Sequence, residues 1–147
     1  MMENPRPDPG PDWKPLALSG LMAHIGPLMA RRDGEFWRYG LMTTHIHANM
    51  LGIVHGGTYA TLADHAMSVA AWETTGRDPV VTLELSTQFI ASARPGDFLE
   101  VCPRLIARSG GMLYLDAVMS ADGRVLAAFS GIWKHVKAQS GGRRHDA

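Results

Sequence analysis

Hydrophobic and polar residues alternate along the second half of the chain with the period of two that is typical of β-strands. The segment 80–91 shows this most clearly, since its even positions from 82 to 88 are polar and its odd positions are mostly apolar. The predicted apolar face carries Val81, Leu83, Leu85 and Phe89, and the polar face carries Thr82, Glu84, Ser86 and Gln88. Further strands are predicted over 98–107, 112–119 and 125–136, separated by the turn pairs Pro95-Gly96, Gly110-Gly111 and Asp122-Gly123. The second half therefore predicts an antiparallel meander.

Residues 57–74 follow a different pattern and predict one long helix. Apolar residues occupy nearly every side of it, as expected for a helix that is buried rather than laid on a surface. Before this helix the sequence predicts a short helix over 16–25, strands over 28–32 and 35–44, and a loop over 45–56. A buried helix with an antiparallel sheet indicates the α+β class, with the sheet curled around the helix.

Length and composition narrow the classes of protein. A chain of 147 residues predicts one domain, which we place at 16–137, between a proline-rich flexible leader over 1–15 and a polar flexible tail over 138–147. Equal numbers of basic and acidic residues, 14 of each, argue against a general nucleic-acid binder. Cys102 is the only cysteine, so an intrachain disulfide is excluded. Neither a signal peptide nor an apolar run of membrane-spanning length is visible, which predicts a soluble cytoplasmic protein without membrane partners.

Asp64 is a carboxylate inside the apolar helix and needs an explanation. The residues three and four positions away are Ala60, Thr61, Met67 and Ser68, so no cation on the helix surface pairs with it. Asp64 could be held at the edge of the core by a backbone or hydroxyl group. Alternatively, it acts as a general base or nucleophile.

Gly56 and Gly57 stand where this helix begins. Free N–H groups at a helix start favour negative charge, and glycine allows a ligand to approach closely, so the pair can form an oxyanion hole. A flexible junction between loop and helix would also explain two glycines. The neighbouring Asn49, His55 and Asp64 favour the oxyanion hole.

The spacing of these groups predicts a shared site. Asp64 follows Gly57 by seven residues, or roughly 10 Å along a helix axis. A reacting carbon must lie about 3 Å from both the nucleophile and the oxyanion donors. One helix does not easily supply both, whereas two antiparallel helices from two chains could. We therefore predict an active site at a homodimer interface.

Other chemistries have weaker support. Four histidines cluster in this region, at positions 45, 47, 55 and 65, but no His-Glu-x-x-His helix is present, so we expect no catalytic metal. His55 is instead expected to orient a backbone or substrate group. A Gly-x-Ser-x-Gly elbow, a P-loop and a Gly-x-Gly-x-x-Gly motif are all absent from the sequence.

The pattern Asn-x-x-Gly-x-x-His-Gly-Gly followed by a helical Asp resembles the hotdog-fold acyl-CoA thioesterases of the phenylacetic-acid-degradation type. It stands here as Asn49, Gly52, His55, Gly56, Gly57 and Asp64. The resemblance implies an antiparallel β-sheet wrapped around a long central α-helix, and hydrolysis of an acyl- or aryl-coenzyme A.

The resemblance also implies roles for single residues. Asp64 would activate water or attack the thioester carbonyl, and the N–H groups of Gly56 and Gly57 would hold the oxyanion. Asn49 would position the water or carboxylate, and His55 would fix the loop. Thr82 stands where some relatives carry a hydroxyl near the attacking water.

Partners follow from the same resemblance. Coenzyme A is part of the substrate, so no separate cofactor is expected, and the relatives form dimers with shared sites that often pair into homotetramers. The phosphates of coenzyme A need cationic or N–H groups. The candidates near strand ends are Arg94, Arg104, Arg108, Lys134 and His135.

Two alternative functions remain open at this point. The first is an acyl-CoA-binding hotdog protein without turnover, against which the presence of Asp64 argues. The second is a hotdog dehydratase or hydratase, in which His55 and Asp64 would form the acid–base pair.

Overall fold

The computed structural model describes residues 9–137 of the chain. Its two α-helices are α1 (Leu21–Ile25) and α2 (Gly56–Thr74), and a 3₁₀ turn spans His45–His47. Its seven strands are β1 (Lys14–Pro15), β2 (Met29–Asp33), β3 (Phe36–Met42), β4 (Val80–Phe89), β5 (Phe98–Ser109), β6 (Met112–Ala121) and β7 (Arg124–His135). The predicted tail over 138–147 and the first eight residues of the predicted leader lie outside the described residues.

The strands form one antiparallel sheet in the order β1-β2-β3-β5-β6-β7-β4. The long helix α2 packs across one face of it, with six side chains buried at helical spacing: Tyr59, Leu62, Ala63, Ala66, Met67 and Ala71. The sheet supplies the other half of this core from alternate positions of its strands, as in Leu113, Leu115, Ala117 and Met119 of β6. The predicted α+β arrangement of a sheet around a central helix is confirmed.

The first helix is shorter than the predicted span of 16–25. Residues 16–20 of the predicted span lie outside α1, because the chain there runs beside β2. The Leu16 N–H donates to the Leu28 carbonyl at 2.8 Å. Gly20, with a φ of 65°, precedes the helix. Part of the predicted leader also packs on the domain, since Trp13 is buried and contacts the Phe98 ring edge-on.

A β-bulge changes which side chains of β4 face the helix. Thr82 pairs with Trp133 and Glu84 pairs with Ile132, so Leu83 is an extra residue in the ladder. The predicted alternation, with Thr82 and Leu85 on opposite faces, is therefore wrong. The extra residue moves the side chains that precede it in β4 to the other face of the sheet. Thr82 and Leu85 both lie on the side of α2, and Leu83 is exposed.

No helix among residues 9–137 combines the length and the apolar character needed to cross a bilayer.

Gly131 of β7 pairs with Leu85, two residues after the bulge at Leu83, and glycine is needed there. A Cβ atom at position 131 would stand 2.5 Å from the Glu84 carbonyl oxygen and 2.7 Å from the Trp133 ring. We expect Gly131→Ala to lower the free energy of unfolding by about 1–3 kcal/mol, since both neighbours are packed and cannot withdraw. Chemical denaturation measures the loss, with Ser130→Ala on the exposed neighbouring position as the control. A variant as stable as the control would contradict this account of the bulge.

Candidate active site

The loop that precedes α2 is a compact, hydrogen-bonded turn. The Asn49 N–H donates to the Ile53 carbonyl at 2.8 Å, and the Gly52 N–H donates to the Asn49 carbonyl at 3.0 Å. Gly52 has a φ of 76°, a conformation that glycine adopts without strain. The Asn49 side-chain oxygen accepts from the Leu51 N–H at 2.9 Å. The Asn49 amide NH₂ group has no acceptor within residues 9–137, so it remains a free donor.

His47 fastens this loop to the rest of the domain. Its Nδ1 accepts from the Thr44 N–H at 2.8 Å, and its Nε2 lies 2.6 Å from the Ile25 carbonyl, to which it can only donate. The His47 carbonyl in turn accepts from the His55 N–H at 2.7 Å. The buried His47 therefore has a structural role, which sequence reasoning did not assign to it.

His55 caps the start of α2 with its side chain. Its Nδ1 accepts from the Gly57 N–H at 2.7 Å, so the proton of the neutral ring is on Nε2. The Gly57 N–H is therefore already engaged, which removes it from the predicted oxyanion hole. Glycine is needed at position 57, because a Cβ atom there would stand 2.9 Å from His55 Nδ1.

Gly56 is the first residue of α2 and retains a free N–H. This group has no partner among residues 9–137, and it lies at the positive end of the helix dipole. Gly56 lines a cleft of about 230 Å³ together with Asn49, Tyr59 and Phe89. A Cβ atom on Gly56 would stand 3.2 Å from the Phe89 ring, so the cleft is narrow at this point. Two of the predicted site residues, Asn49 and Gly56, thus meet in one cleft.

Asp64 is held by one hydroxyl group on the side of α2 that faces β4 and β7. The Thr82 hydroxyl donates to Asp64 Oδ1 at 2.7 Å. The Ser68 hydroxyl lies 3.5 Å from Thr82 Oγ1, at the outer limit of hydrogen bonding, and accepts from the indole N–H of the fully buried Trp133 at 2.8 Å. Asp64, Thr82, Ser68 and Trp133 therefore form a polar chain that runs from the buried indole to the carboxylate.

Sequence reasoning missed Ser68 and Trp133. Ser68 follows Asp64 by one helical turn, which was a usable signal for a shared face. Trp133 was not predictable as a member, because its contact depends on the register of β7 against β4.

The polar chain and the cleft are separate in this chain. Asp64 does not line the cleft at Gly56. It is half-buried and has no ion pair within residues 9–137. The separation of the carboxylate from the helix start agrees with the seven-residue spacing between Asp64 and Gly57.

The other histidines of the cluster are dispersed. His45 is exposed, and His65 keeps a buried Nε2 without a partner among residues 9–137. Burial lowers the pKa of His65, and the charge of Asp64 opposes this shift. Within the described residues, no three His, Cys, Asp or Glu side chains lie close enough together to hold a metal ion.

The basic candidates for phosphate contacts do not form one cluster. Arg108 and His135 meet at the far end of β5, where an Arg108 nitrogen lies 3.2 Å from His135 Nδ1 and His135 Nε2 lies 2.8 Å from Asp78. Arg94 precedes β5 and therefore lies at its other end. Arg104 is paired with Asp116 in a two-bond contact at 2.7 and 3.1 Å. The Lys134 side chain is exposed on β7.

Comparison with known sequences identifies the family of this chain. The sequence profile of the thioesterase superfamily matches residues 51–128, which is more than half of the chain. "Putative esterase PA0474" of Pseudomonas aeruginosa is 33% identical over 126 residues, a match that covers 82% of this chain and 92% of that protein.

Comparison with solved structures supports the fold. The E. coli PaaI protein from the phenylacetic acid degradation operon has a TM-score of 0.69 at 18% identity, covering 79% of this chain and 83% of that one. The smu.793 protein from Streptococcus mutans, solved bound to acetyl-CoA, has a TM-score of 0.63 at 18% identity, covering 70% and 82%. The predicted hotdog fold is thereby confirmed.

The His55 cap can be tested directly. We expect nitrogen chemical shifts to show a neutral His55 ring protonated at Nε2, because Nδ1 accepts from Gly57. In Gly57→Ala the added methyl group displaces the His55 ring, so the preference for the tautomer protonated at Nε2 should weaken. Loss of the cap should also lower the free energy of unfolding by about 1 kcal/mol. Nuclear magnetic resonance of histidine-labelled protein measures the first effect and denaturation the second. A wild-type ring protonated at Nδ1 would contradict the cap.

Proposed function

Because this chain belongs to the thioesterase superfamily, we propose that it hydrolyses the thioester of an acyl- or aryl-coenzyme A to a free acid and coenzyme A. The observation that carries the proposal is the unpartnered N–H of Gly56, which lines a cleft beside the free amide of Asn49. Such a donor at a helix start stabilises negative charge that develops on a carbonyl oxygen. The acetyl-CoA bound to smu.793 supports a coenzyme A thioester as the substrate class.

Gly56 would act on the thioester oxygen. As the carbonyl carbon becomes tetrahedral, its oxygen becomes an anion that accepts from the Gly56 N–H. His55 supports this step by occupying the Gly57 N–H and thereby fixing the first turn of α2. Asn49 would position the attacking water or the product carboxylate with its free NH₂ group.

Asp64 would supply the base or the nucleophile, and both routes remain open. In the first, Asp64 takes a proton from water, the hydroxide adds to the carbonyl carbon, the C–S bond breaks, and the leaving thiolate takes the proton from Asp64. In the second, the carboxylate attacks directly and releases the thiolate, and water hydrolyses the resulting anhydride. Thr82 would orient Asp64 by binding Oδ1, which leaves Oδ2 for the reaction.

We propose that two copies of the chain share each site. Strand β4 pairs only with β7 within the described residues, so its other edge is open. Four large apolar side chains on or just after this strand are 47–61% exposed, namely Val81, Leu83, Phe89 and Ile90. An open edge with apolar side chains favours pairing with another chain. Such a dimer would let Asp64 of one chain serve the cleft at Gly56 of the other.

The tautomer of His55 favours hydrolysis over dehydration or hydration. A dehydratase would use His55 as a base, which needs an unprotonated nitrogen facing the substrate. Nδ1 of His55 is occupied by the helix cap, and Nε2 carries the proton. The ring is thus available as a donor and not as a base.

Substitution of Asp64 tests the catalytic role. Asp64→Asn keeps the shape and the Thr82 contact but removes the base, so we expect kcat to fall about 10²–10⁴-fold. The assay follows free coenzyme A with a thiol reagent over a panel of acyl- and aryl-CoA thioesters. A folded variant of unchanged activity would exclude Asp64, and a wild type that releases no coenzyme A from any thioester would exclude hydrolysis.

Replacement of Gly56 tests the oxyanion donor and the shared site together. Gly56→Pro removes the N–H at the first helical position, where proline is accepted, and His55 before it is already extended, with φ −64° and ψ 136°. Gly56→Ala is the matched control, because it adds a Cβ atom but keeps the N–H. We expect activity to fall about 10²–10³-fold for Gly56→Pro and much less for Gly56→Ala.

Mixed dimers then distinguish a shared site from an internal one. A dimer of one Asp64→Asn chain and one Gly56→Pro chain has one site with both groups intact, provided that the site is shared. Half of the dimers formed by random mixing combine the two variants, and each of these has one intact site out of two. Mixing should therefore restore about a quarter of the wild-type activity. Mixed dimers that form without restored activity would contradict the shared site, and so would an active monomer.

A further inference from the structure

A second cavity lies on the opposite flank of α2. It measures about 280 Å³, is open to solvent on one side, and is lined by the C-terminal half of α2, the start of β3, and β5 and β6. Glu73 lines it, and Glu73 follows Asp64 by nine residues, which at 3.6 residues per turn places the two on opposite sides of the helix. The cavity is therefore distinct from the site built on Asp64 and Gly56.

The walls of this cavity are mostly apolar and aromatic. Phe36, Trp37, Leu105 and Leu115 contribute to them. Apolar cavities of about 150 Å³ accept a benzene ring, so about 280 Å³ accommodates one aromatic ring with a short side chain. Drug-sized ligands usually occupy larger pockets, of about 300–1,000 Å³. The size therefore indicates a small, one-ring ligand.

Tyr39 places a hydroxyl group in the wall of the cavity. Its side chain lines the cavity and is only 3% exposed, yet its hydroxyl has no hydrogen-bond partner within residues 9–137. The hydroxyl oxygen is not sealed from solvent, so it opens into the cavity and is available to a ligand. Burial and the charge of Glu73 raise the pKa of Tyr39 to about 12, so the hydroxyl stays neutral at physiological pH.

The charged groups around the cavity favour a cation. Glu35 lines it and has no ion pair within the described residues. Glu73 has one loose contact, to Arg77 at 3.5 Å. Arg104 also lines the cavity, but Asp116 holds its guanidinium by two hydrogen bonds and largely neutralises it. Both carboxylates are exposed and only Glu73 has an ion pair, so the opening of the cavity carries negative charge that solvent partly screens.

We propose that this cavity is a second ligand site that binds a small primary arylalkylamine, an amine joined to one aromatic ring by a short alkyl chain. The ring would lie against Phe36, Trp37 and Leu105, and the ammonium group would donate to the Tyr39 hydroxyl oxygen and to Glu73. Ammonium groups are also attracted by aromatic faces, which strengthens the same preference. The site does not depend on hydrolysis, since none of the groups assigned to that reaction lines it.

Titration with 2-phenylethylamine tests the proposal, read by the indole N–H signal of Trp37 and assigned with Trp37→Phe. We expect a saturable shift of this signal, larger than those of the other tryptophans. 2-Phenylethanol should bind more weakly and 3-phenylpropanoate most weakly, because the carboxylates repel an anion. Absence of a saturable Trp37 shift at millimolar amine, or equal binding of the anion, would overturn the proposal.

Two matched variants locate the amine. Tyr39→Phe removes only a hydroxyl that has no partner in the protein, so the fold should persist while amine affinity falls about three- to tenfold. Tyr59→Phe makes the same change in the cleft at Gly56, where the hydroxyl donates to the Ala91 carbonyl at 3.0 Å, and should leave the affinity unchanged. The reverse result, with only Tyr59→Phe weakening the amine, would place it in the other cleft and overturn the proposal. Because the readout is binding, its outcome is independent of whether the chain hydrolyses thioesters.

Discussion

The hydrogen bond from the Gly57 N–H to the His55 ring is the contact on which the candidate active site depends. It ends the loop and starts α2 at the same residue, so the neighbouring Gly56 N–H remains free at the positive end of the helix. It also fixes the protonated nitrogen of His55 and requires the absence of a side chain at position 57. The loop is held in turn by His47, which joins it to the end of α1. This one hydrogen bond therefore explains the free N–H of Gly56, the tautomer of His55 and the need for glycine at position 57.

Much of the fold could be predicted from the sequence, because hydrophobic periodicity determines which faces are buried. The long helix and the last four strands begin and end within a few residues of their predicted bounds. The facing of Thr82 could not be predicted, since the bulge at Leu83 depends on the register against β7 and on the space that Gly131 leaves. For the same reason Trp133 and Ser68 were missed as neighbours of Asp64. The Gly57 N–H was expected to face the substrate, whereas its contact with His55 depends on the ring orientation, which the sequence does not encode directly.

One helix organises both cavities, and its two flanks differ in chemistry. The flank toward β4 and β7 carries hydroxyl groups and the Asp64 carboxylate, which are connected to a buried indole. The flank toward β3 and β5 carries aromatic walls, two glutamates and an unpaired tyrosine hydroxyl. Because α2 is apolar along its buried side, neither set of polar groups reaches the other through the core. The same packing that stabilises the helix thus keeps two polar environments separate.

The position of Trp133 has an optical consequence. Its indole is fully buried, and its N–H is connected to Asp64 through the hydroxyl groups of Ser68 and Thr82. The emission of an indole depends on the polarity around it and on its hydrogen bonding. A change in charge or orientation at Asp64 is therefore transmitted to a chromophore that solvent quenchers cannot reach. The fold thus places a buried fluorescent group in hydrogen-bonded connection with the carboxylate.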